Sequence, residues 1–134
     1  KPFSVSTWIN LNNDYHRIIS LRGEMNYFLR ISQTTVQLYT NNYHDVGTIS
    51  LNKWQHIITT FDGTAFKTYI NGKLSNSYVE TPTGYSNNNT IGISGYDLTS
   101  DPTNGQIDDV RIYNYALTGE QVKTLYNNGS VSFQ

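Results

Sequence analysis

Short runs of alternating apolar and polar residues, with the two-residue period of a β-strand, fill most of this chain. In the first run, residues 3–10, large apolar and β-branched side chains alternate with mostly polar ones. Further strand-like runs occupy residues 17–21, 27–33, 35–40, 46–50, 54–61, 65–70, 73–79, 90–94 and 106–113. Many short strands separated by turn residues predict an all-β fold of the sandwich or barrel type, without β-α-β units.

Residues 54–74 predict three consecutive antiparallel strands in which both turns are marked. Residues 61–64 read Phe-Asp-Gly-Thr, and Asn71 and Gly72 stand where a two-residue hairpin turn needs positive φ at both central positions. The residues between these turns are mostly β-branched or aromatic, which suits a pleated and half-buried surface. His56, in the first of these strands, is expected to be a hydrogen-bonded structural residue.

One short helix is predicted near the end of the sequence. Thr118 and Gln121 have the spacing of a capping box, in which each side chain bonds the backbone N–H of the other residue. One face of this helix then carries the apolar residues Val122, Leu125 and Tyr126. The Asn-Asn-Gly sequence at 127–129 is expected to end the helix, and residues 131–133 are expected to form a last short strand.

Length and composition narrow the class of protein. A chain of 134 residues predicts a single domain, and the lack of cysteine excludes cysteine catalysis and thiolate metal sites. A net charge of −1, with 14% charged residues, argues against a nucleic-acid partner. No apolar run approaches the roughly 20 residues that cross a bilayer. We therefore expect neither nucleic-acid binding nor membrane insertion.

The polar residues indicate where the protein works. Asn, Thr, Ser and Tyr are abundant while Lys and Glu are scarce, a bias typical of secreted or surface-displayed β-proteins. The sequence begins in strand-like residues without a secretion signal. We expect an extracellular or cell-surface protein, either a mature product or a piece of something larger.

Four motifs occur in order along nearly the whole chain. They are Phe3–Ile9 (FSVSTWI), Trp54–Ile57 (WQHI), Tyr69–Lys73 (YINGK) and Gly105–Asn114 (GQIDDVRIYN), followed by Ala116–Thr118 and Leu125–Asn127. Together they resemble the laminin-G-type jelly-roll domains of the concanavalin A-like lectin/glucanase superfamily. The resemblance implies an antiparallel β-sandwich (jelly roll) of two packed sheets, with one short C-terminal helix.

In one respect the sequence departs from this family, whose members usually begin with another strand well before the position of Phe3. A sheet without that strand is expected to have an open edge beside a late strand, and open edges favour pairing. The strand was removed, or the sheet does without it, or a neighbouring chain donates it by strand addition. The last alternative predicts a homo-oligomer or a filament.

Catalysis is not expected. Enzymes related to this fold cleave polysaccharides with clustered carboxylates, and retaining hydrolysis needs two carboxyl groups about 5 Å apart. The glutamates Glu24, Glu80 and Glu120 are isolated in the sequence. Asp108 and Asp109 are neighbours within one predicted strand, where adjacent side chains point to opposite faces. Glycoside hydrolysis is therefore a remote alternative.

The resemblance places Asp108 and Asp109 near a calcium site on the rim of the sandwich. The loop before them adds the carboxylates of Asp97 and Asp101, and calcium prefers six to eight oxygen ligands. The alternative is that Asp109 pairs with Arg111 or caps a turn, which leaves Asp108 solvated. Calcium is thus a candidate cofactor.

Tyrosines in predicted loops and turns are the candidates for ligand contact. A tyrosine ring can take the apolar face of a sugar, while neighbouring amides and carboxylates bond its hydroxyls. The candidate ligand-binding residues are Tyr43, His44, Tyr85, Tyr96 and Asn104.

Three functions follow from these features. The leading one is a non-catalytic extracellular recognition domain that binds carbohydrate, with calcium ordering its loops. The second is a structural or adhesive subunit of a surface appendage, whose partner is a protein. The third is the glycoside hydrolase described above as remote. The expected partner is a glycan or a cell-surface protein.

Overall fold

The structure is a computed structural model that describes residues 2–12, 15–22, 28–81, 90–93 and 105–132. Its elements are β1 (Phe3–Leu11), β2 (Tyr15–Arg22), β3 (Leu29–Ser32), β4 (Thr35–Tyr39), β5 (Tyr43–Thr48), β6 (Gln55–Phe61), β7 (Ala65–Ile70), β8 (Lys73–Val79), β9 (Thr90–Ile93), β10 (Gly105–Tyr113) and α1 (Gly119–Ser132). Each strand-like run predicted from the sequence overlaps one of these strands.

The strands form two five-stranded sheets, and the chain divides into two compact units with one sheet each. The first unit holds the sheet β10-β1-β6-β7-β8 together with α1, and the second holds the sheet β5-β4-β3-β2-β9. Two antiparallel sheets and one C-terminal helix confirm the predicted class, an antiparallel β-sandwich of the jelly-roll type.

In the second unit the two faces of the sheet differ in polarity. Every second residue of β3 and β4 is buried, and Leu29, Ile31, Val36 and Leu38 are at most 2% exposed. The residues between them are half-buried, and most of them are polar. Because side chains alternate along a strand, this sheet buries one apolar face and presents a polar one.

In the first unit the helix packs on the sheet through its apolar face. Val122 is fully buried and clusters with Ile58, Tyr69 and Leu117, while Leu125 packs against this cluster. Fully burying one such aliphatic side chain is worth about 1.5–3 kcal/mol. Apolar packing of this face therefore holds the helix on its sheet.

The predicted meander is confirmed as β6, β7 and β8. The turn between β7 and β8 has Asn71 at φ 51° and Gly72 at φ 80°, both positive as predicted. In the first turn, Asp62 Oδ1 accepts the backbone N–H groups of Thr64 and Ala65 at 2.8 Å each. Both bonds lower the pKa of Asp62, and the one from Ala65 has the larger effect. They do so because they favour the ionised carboxylate.

The helix begins as predicted but ends later. The Thr118 backbone N–H donates to Gln121 Oε1 at 2.9 Å, and the Gln121 N–H donates to Thr118 Oγ1 at 3.2 Å, which confirms the capping box. The prediction that residues 127–129 end the helix was wrong, since α1 continues to Ser132. Residues 131 and 132 are helical and not a strand, and Phe133 lies outside the described residues.

Gly129 lies inside the helix, where it lets the helix backbone come close to the side chain of Trp8. A Cβ atom built on Gly129 would lie 2.4 Å from Trp8 Nε1, so the bare backbone is what fits against the indole. The glycine expected to end the helix thus serves packing instead.

Among the described strands, β10 has one neighbour, β1, and therefore forms an edge of its sheet. Asp109, in the middle of β10, has φ 52°. Beyond it, partly buried residues recur at every third position, so the regular alternation is interrupted there. No helix in the described part of the chain is long and apolar enough to cross a membrane.

Candidate functional site

The polar face of the second unit carries a cluster of side chains whose chemistry suits contact with a ligand. Tyr43 and Asp45 lie in β5, so the prediction that Tyr43 lies in a loop or turn was wrong. Tyr43 pairs with Tyr39, and Asp45 with Gln37, in the antiparallel pairing of β4 and β5. A register shift between Val36 and Gln37 is part of this pairing. Strand pairing therefore places these residues side by side.

Hydrogen bonds join this face across three strands. Arg30 on β3 donates from Nε to Gln37 Oε1 at 2.8 Å and from Nη1 to the Tyr43 hydroxyl at 2.9 Å. Gln37 Nε2 in turn donates to Asp45 Oδ1 at 2.7 Å. We call Arg30, Gln37, Tyr39, Tyr43 and Asp45 the Tyr43 network.

Two aromatic rings form one end of the network. The rings of Tyr39 and Tyr43 lie 4.9 Å apart at 68°, in an edge-to-face arrangement. The guanidinium carbon of Arg30 lies 3.9 Å from the centre of the Tyr43 ring, a cation–π contact. Tyr43 is nevertheless 43% exposed. The contacts therefore hold an accessible ring in a fixed position.

This arrangement suits a ligand with both apolar and hydroxyl-bearing surfaces. An exposed tyrosine ring offers a flat apolar face, while a carboxylate, an amide and a guanidinium beside it offer hydrogen-bond acceptors and donors. Ordering a flexible side chain on binding costs about 0.5–1.5 kcal/mol. Because these side chains already bond one another, little of this cost would remain when a ligand binds.

The other predicted ligand-binding residues do not join this cluster. His44 pairs with buried Leu38, so its position lies on the opposite face of the sheet from Tyr43 and Asp45, where it is half-buried. Tyr85, Tyr96 and Asn104 lie outside the described residues.

Most of the Tyr43 network was missed by the sequence analysis, which singled out Tyr43 alone of its members. The missing signal was the alternation of β3 and β4, which puts Arg30, Gln37 and Tyr39 on one face. A search for polar residues at every second position of neighbouring strands would have found them.

The predicted calcium ligands are described in part. Asp109 Oδ1 accepts a hydrogen bond from Arg111 Nε at 2.8 Å, and Asp108 Oδ1 accepts one from the backbone N–H of Asp109 at 2.7 Å. Asp97 and Asp101 lie outside the described residues. In the part of the chain that is described, no three His, Cys, Asp or Glu residues group together as metal ligands would. Here Asp109 pairs with Arg111, as the alternative proposed.

A buried histidine in the first unit is an unusual electrostatic feature. His56 is 2% exposed, and its ring stacks on Trp8 with 4.7 Å between ring centres. Its Nε2 shares a 2.9 Å hydrogen bond with Ser6 Oγ, as expected for a structural histidine. Nδ1 has no partner among the described residues. A protonated ring would therefore hold a buried N–H without an acceptor.

The pKa of His56 reflects this environment. Burial lowers the pKa from 6.5 to about 4, with Asp109 opposing the shift and Arg111 adding to it. In the unfolded chain the His56 ring takes up a proton below pH 6.5, whereas in the folded chain it does so only near pH 4. The folding stability that depends on neutral His56 is therefore complete above pH 6.5 and is lost as the pH falls toward 4.

We expect the free energy of unfolding to fall by about 3 kcal/mol across this interval, the value of a shift of this size. His56→Phe retains a ring in the stack and should flatten the dependence, as measured by urea denaturation above pH 6.5 and near pH 4. Val79→Ala, which changes a residue that is 76% exposed in the same unit, is the control and should leave the pH dependence unchanged. An equal slope in wild type and His56→Phe would show that other groups cause the pH dependence.

Comparison with known proteins places this geometry in context. A laminin-G-type sequence model, described as the concanavalin A-like lectin/glucanases superfamily, matches residues 1–123. Among curated proteins, no match to the sequence is found. Several solved structures share the fold.

A candidate carbohydrate binding protein from Bacteroides ovatus is similar with a TM-score of 0.77 and 20% identity over 91% of this chain and 40% of its own. Domain 4 of AbnA, a GH43 extracellular arabinanase from Geobacillus stearothermophilus, was solved in complex with arabinotriose. Its TM-score is 0.69 and its sequence identity 26%, over 92% of this chain and 66% of its own. The receptor binding domain of botulinum neurotoxin type G has a TM-score of 0.71 and 22% sequence identity, over 96% of this chain and 38% of its own. The chain therefore spans less than two thirds of the length of each.

Proposed function

Because this chain belongs to the concanavalin A-like lectin/glucanase superfamily, we propose that it is a non-catalytic, extracellular domain that binds carbohydrate through the Tyr43 network. The observation that carries this proposal is the exposed Tyr43 ring, held by Arg30 beside the Gln37–Asp45 pair. Its partner is a glycan, free or on a cell surface.

The chemistry of the network supports binding over catalysis. Glycoside hydrolysis by a pair of acids needs two carboxyl groups flanking the bond to be cleaved. Asp45 is the single carboxylate of the Tyr43 network, and it accepts a hydrogen bond from Gln37 at 2.7 Å. The network can therefore orient a sugar, but it does not itself supply an acid–nucleophile pair.

Two similar structures support a saccharide as ligand. The arabinanase domain was solved in complex with arabinotriose, and the protein from Bacteroides ovatus is described as a candidate carbohydrate binding protein. Both are what this chain resembles, and we extend their ligand class to it as part of the proposal. An extracellular arabinanase among the relatives also supports an extracellular location for this domain.

Calcium as an accessory ligand is a separate part of the proposal. The described carboxylates do not suffice for it, since Asp109 is paired with Arg111 at 2.8 Å and calcium takes six to eight oxygen ligands. Asp97 and Asp101 would have to supply further oxygens. Calcium is therefore proposed only for the predicted site of Asp97, Asp101, Asp108 and Asp109. It has no proposed role at the Tyr43 network.

Tyr43→Ala is expected to weaken glycan binding about tenfold or more, because it removes the ring platform and a hydrogen-bond partner of Arg30. Tyr43→Phe keeps the ring and removes only the hydroxyl, so its loss should be smaller. Affinity electrophoresis in polysaccharide gels measures both. Val79→Ala is the control, because Val79 is 76% exposed in the other unit. Equal retardation of wild type and Tyr43→Ala would contradict the proposed site.

A glycan array with a multivalent form of the domain, run with calcium and with chelator, identifies the ligand. Binding that persists in chelator supports the Tyr43 network alone, whereas binding lost in chelator supports a calcium-dependent site. Silence under both conditions would contradict carbohydrate binding. It would favour a structural subunit that pairs through the edge of β10, where Ile112 is 47% exposed.

A further inference from the structure

A pocket of 520 Å³ in the first unit lies between the end of β10, the segment that follows it and the first turns of α1. This volume falls within the range of about 300–1,000 Å³ that is typical of small-ligand sites. The pocket shares no residue with the Tyr43 network.

Aromatic and aliphatic side chains form one part of the pocket wall. The rings of Tyr113 and Tyr115 lie 5.5 Å apart at 65°, and Tyr115 is 46% exposed. Leu117 and Leu125 also line the pocket. The wall thus offers an accessible ring beside apolar carbon.

Polar groups on the first turns of α1 form the other part. Gln121 Oε1 accepts the Thr118 N–H at 2.9 Å, which fixes the side-chain amide and leaves its NH₂ group as a donor. Thr124 Oγ1 donates to the Glu120 carbonyl at 3.1 Å, so its oxygen can still accept a hydrogen bond. Together with the Glu120 carboxylate, these groups suit hydroxyls.

The charge of the pocket favours an uncharged ligand. Glu120 is the single charged residue of its lining, and it lies in the first turn of a 14-residue helix. The partial positive charge at a helix N-terminus, roughly half an elementary charge, offsets a carboxylate placed there. Neither an anion nor a cation therefore finds a strong unpaired opposite charge.

We propose that this pocket is a second saccharide site, which takes one neutral sugar ring with a C–H face against Tyr115 and its hydroxyls toward Gln121, Thr124 and Glu120. The proposal rests on the carbohydrate-binding function proposed above and adds a site to it. The protein would then have one saccharide site in each of its two units.

Backbone-amide NMR titrations of the full chain with D-glucose, D-galactose, L-arabinose and N-acetyl-D-glucosamine test this site. At least one of these sugars should shift the amides of residues 115–125, whereas the open-chain polyol sorbitol, which has no ring face, should not. Tyr115→Ala should weaken this binding at least about fivefold, while Tyr43→Ala should leave it unchanged. Thr124→Val removes one hydroxyl and replaces Tyr115→Ala if that variant does not fold.

The outcomes separate the two proposals. Shifts confined to β3, β4 and β5, and lost in Tyr43→Ala only, would overturn the pocket and leave the proposed function intact. Equal shifts with sorbitol at residues 115–125 would overturn a ring-specific site. Silence of the amides of residues 115–125 with all four sugars would overturn the pocket, and a silent glycan array in addition would overturn both proposals. Shifts at residues 115–125 alone would support the pocket and contradict the Tyr43 network.

Discussion

Gly129→Ala is expected to destabilise the protein by about 2 kcal/mol or more, although alanine is the better helix former. In an exposed helix interior this change would stabilise by about 1 kcal/mol. Here the new Cβ would lie 2.4 Å from Trp8 Nε1 and 2.6 Å from two further indole atoms. Trp8 cannot yield easily, because it is 2% exposed and stacks on His56 and Tyr126. Overpacking of this kind typically costs about 1–3 kcal/mol, and occasionally more.

Gly119→Ala is the matched control for this prediction. Gly119 begins the same helix, and the atom nearest to the methyl group that alanine would add there, Tyr69 Oη, lies at an ordinary contact distance of 3.9 Å. The stability of this variant should stay level or rise. Urea denaturation gives both free energies of unfolding, and Trp8→Phe should reduce the cost of Gly129→Ala in a double-mutant cycle. A stabilised Gly129→Ala variant would show that the indole of Trp8 does not pack against residue 129.

Asn71→Val is expected to destabilise the protein by about 3 kcal/mol, more than a turn residue usually contributes. Asn71 has φ 51°, a region that β-branched residues resist at a cost of about 1–3 kcal/mol. The side chain also links the hairpin to β6: Oδ1 accepts the His56 N–H at 2.8 Å, and Nδ2 donates to Gln55 Oε1 at 3.2 Å. Valine also leaves the backbone N–H of His56 without its acceptor, which adds about 1–3 kcal/mol to the loss of stability.

Two further variants separate the strain at Asn71 from its hydrogen bonds. Asn71→Gly tolerates the positive φ but loses both side-chain bonds, so it should cost about 1–2 kcal/mol. Asn71→Asp retains an acceptor for the His56 N–H and should cost less than Asn71→Gly. Thermal and urea denaturation give the order. If Asn71→Val and Asn71→Gly were equally unstable, backbone strain at residue 71 would contribute nothing to the loss.

Local rules made the hairpin predictable from sequence. Asn and Gly tolerate positive φ, so the Asn71–Gly72 pair indicated the turn between β7 and β8 without any knowledge of its surroundings. The capping box of Thr118 and Gln121 was predictable for the same reason, since both partners lie within one helical turn. The turn before β4 is less obvious, because Gln33 at φ 57° is not a typical turn residue.

The candidate site was less predictable. Tyr43 was identified as a candidate but assigned to a turn, and His44 was grouped with it although β5 places the two on opposite faces. Arg30 is 13 residues away from Tyr43 in sequence and reaches it through strand pairing. A one-residue change in register would move either side chain to the other face. No local pattern specifies that register.

By itself, the sequence determined the strands, the marked turns, the start of the helix and the family, because alternation and backbone preference act within a few residues. Tertiary structure alone decided that Gly129 packs against Trp8 instead of ending the helix and that Tyr43 joins Arg30. The physical reason is the same in each case. These outcomes depend on strand register and on which surfaces meet, and both are set by contacts between residues distant in the chain.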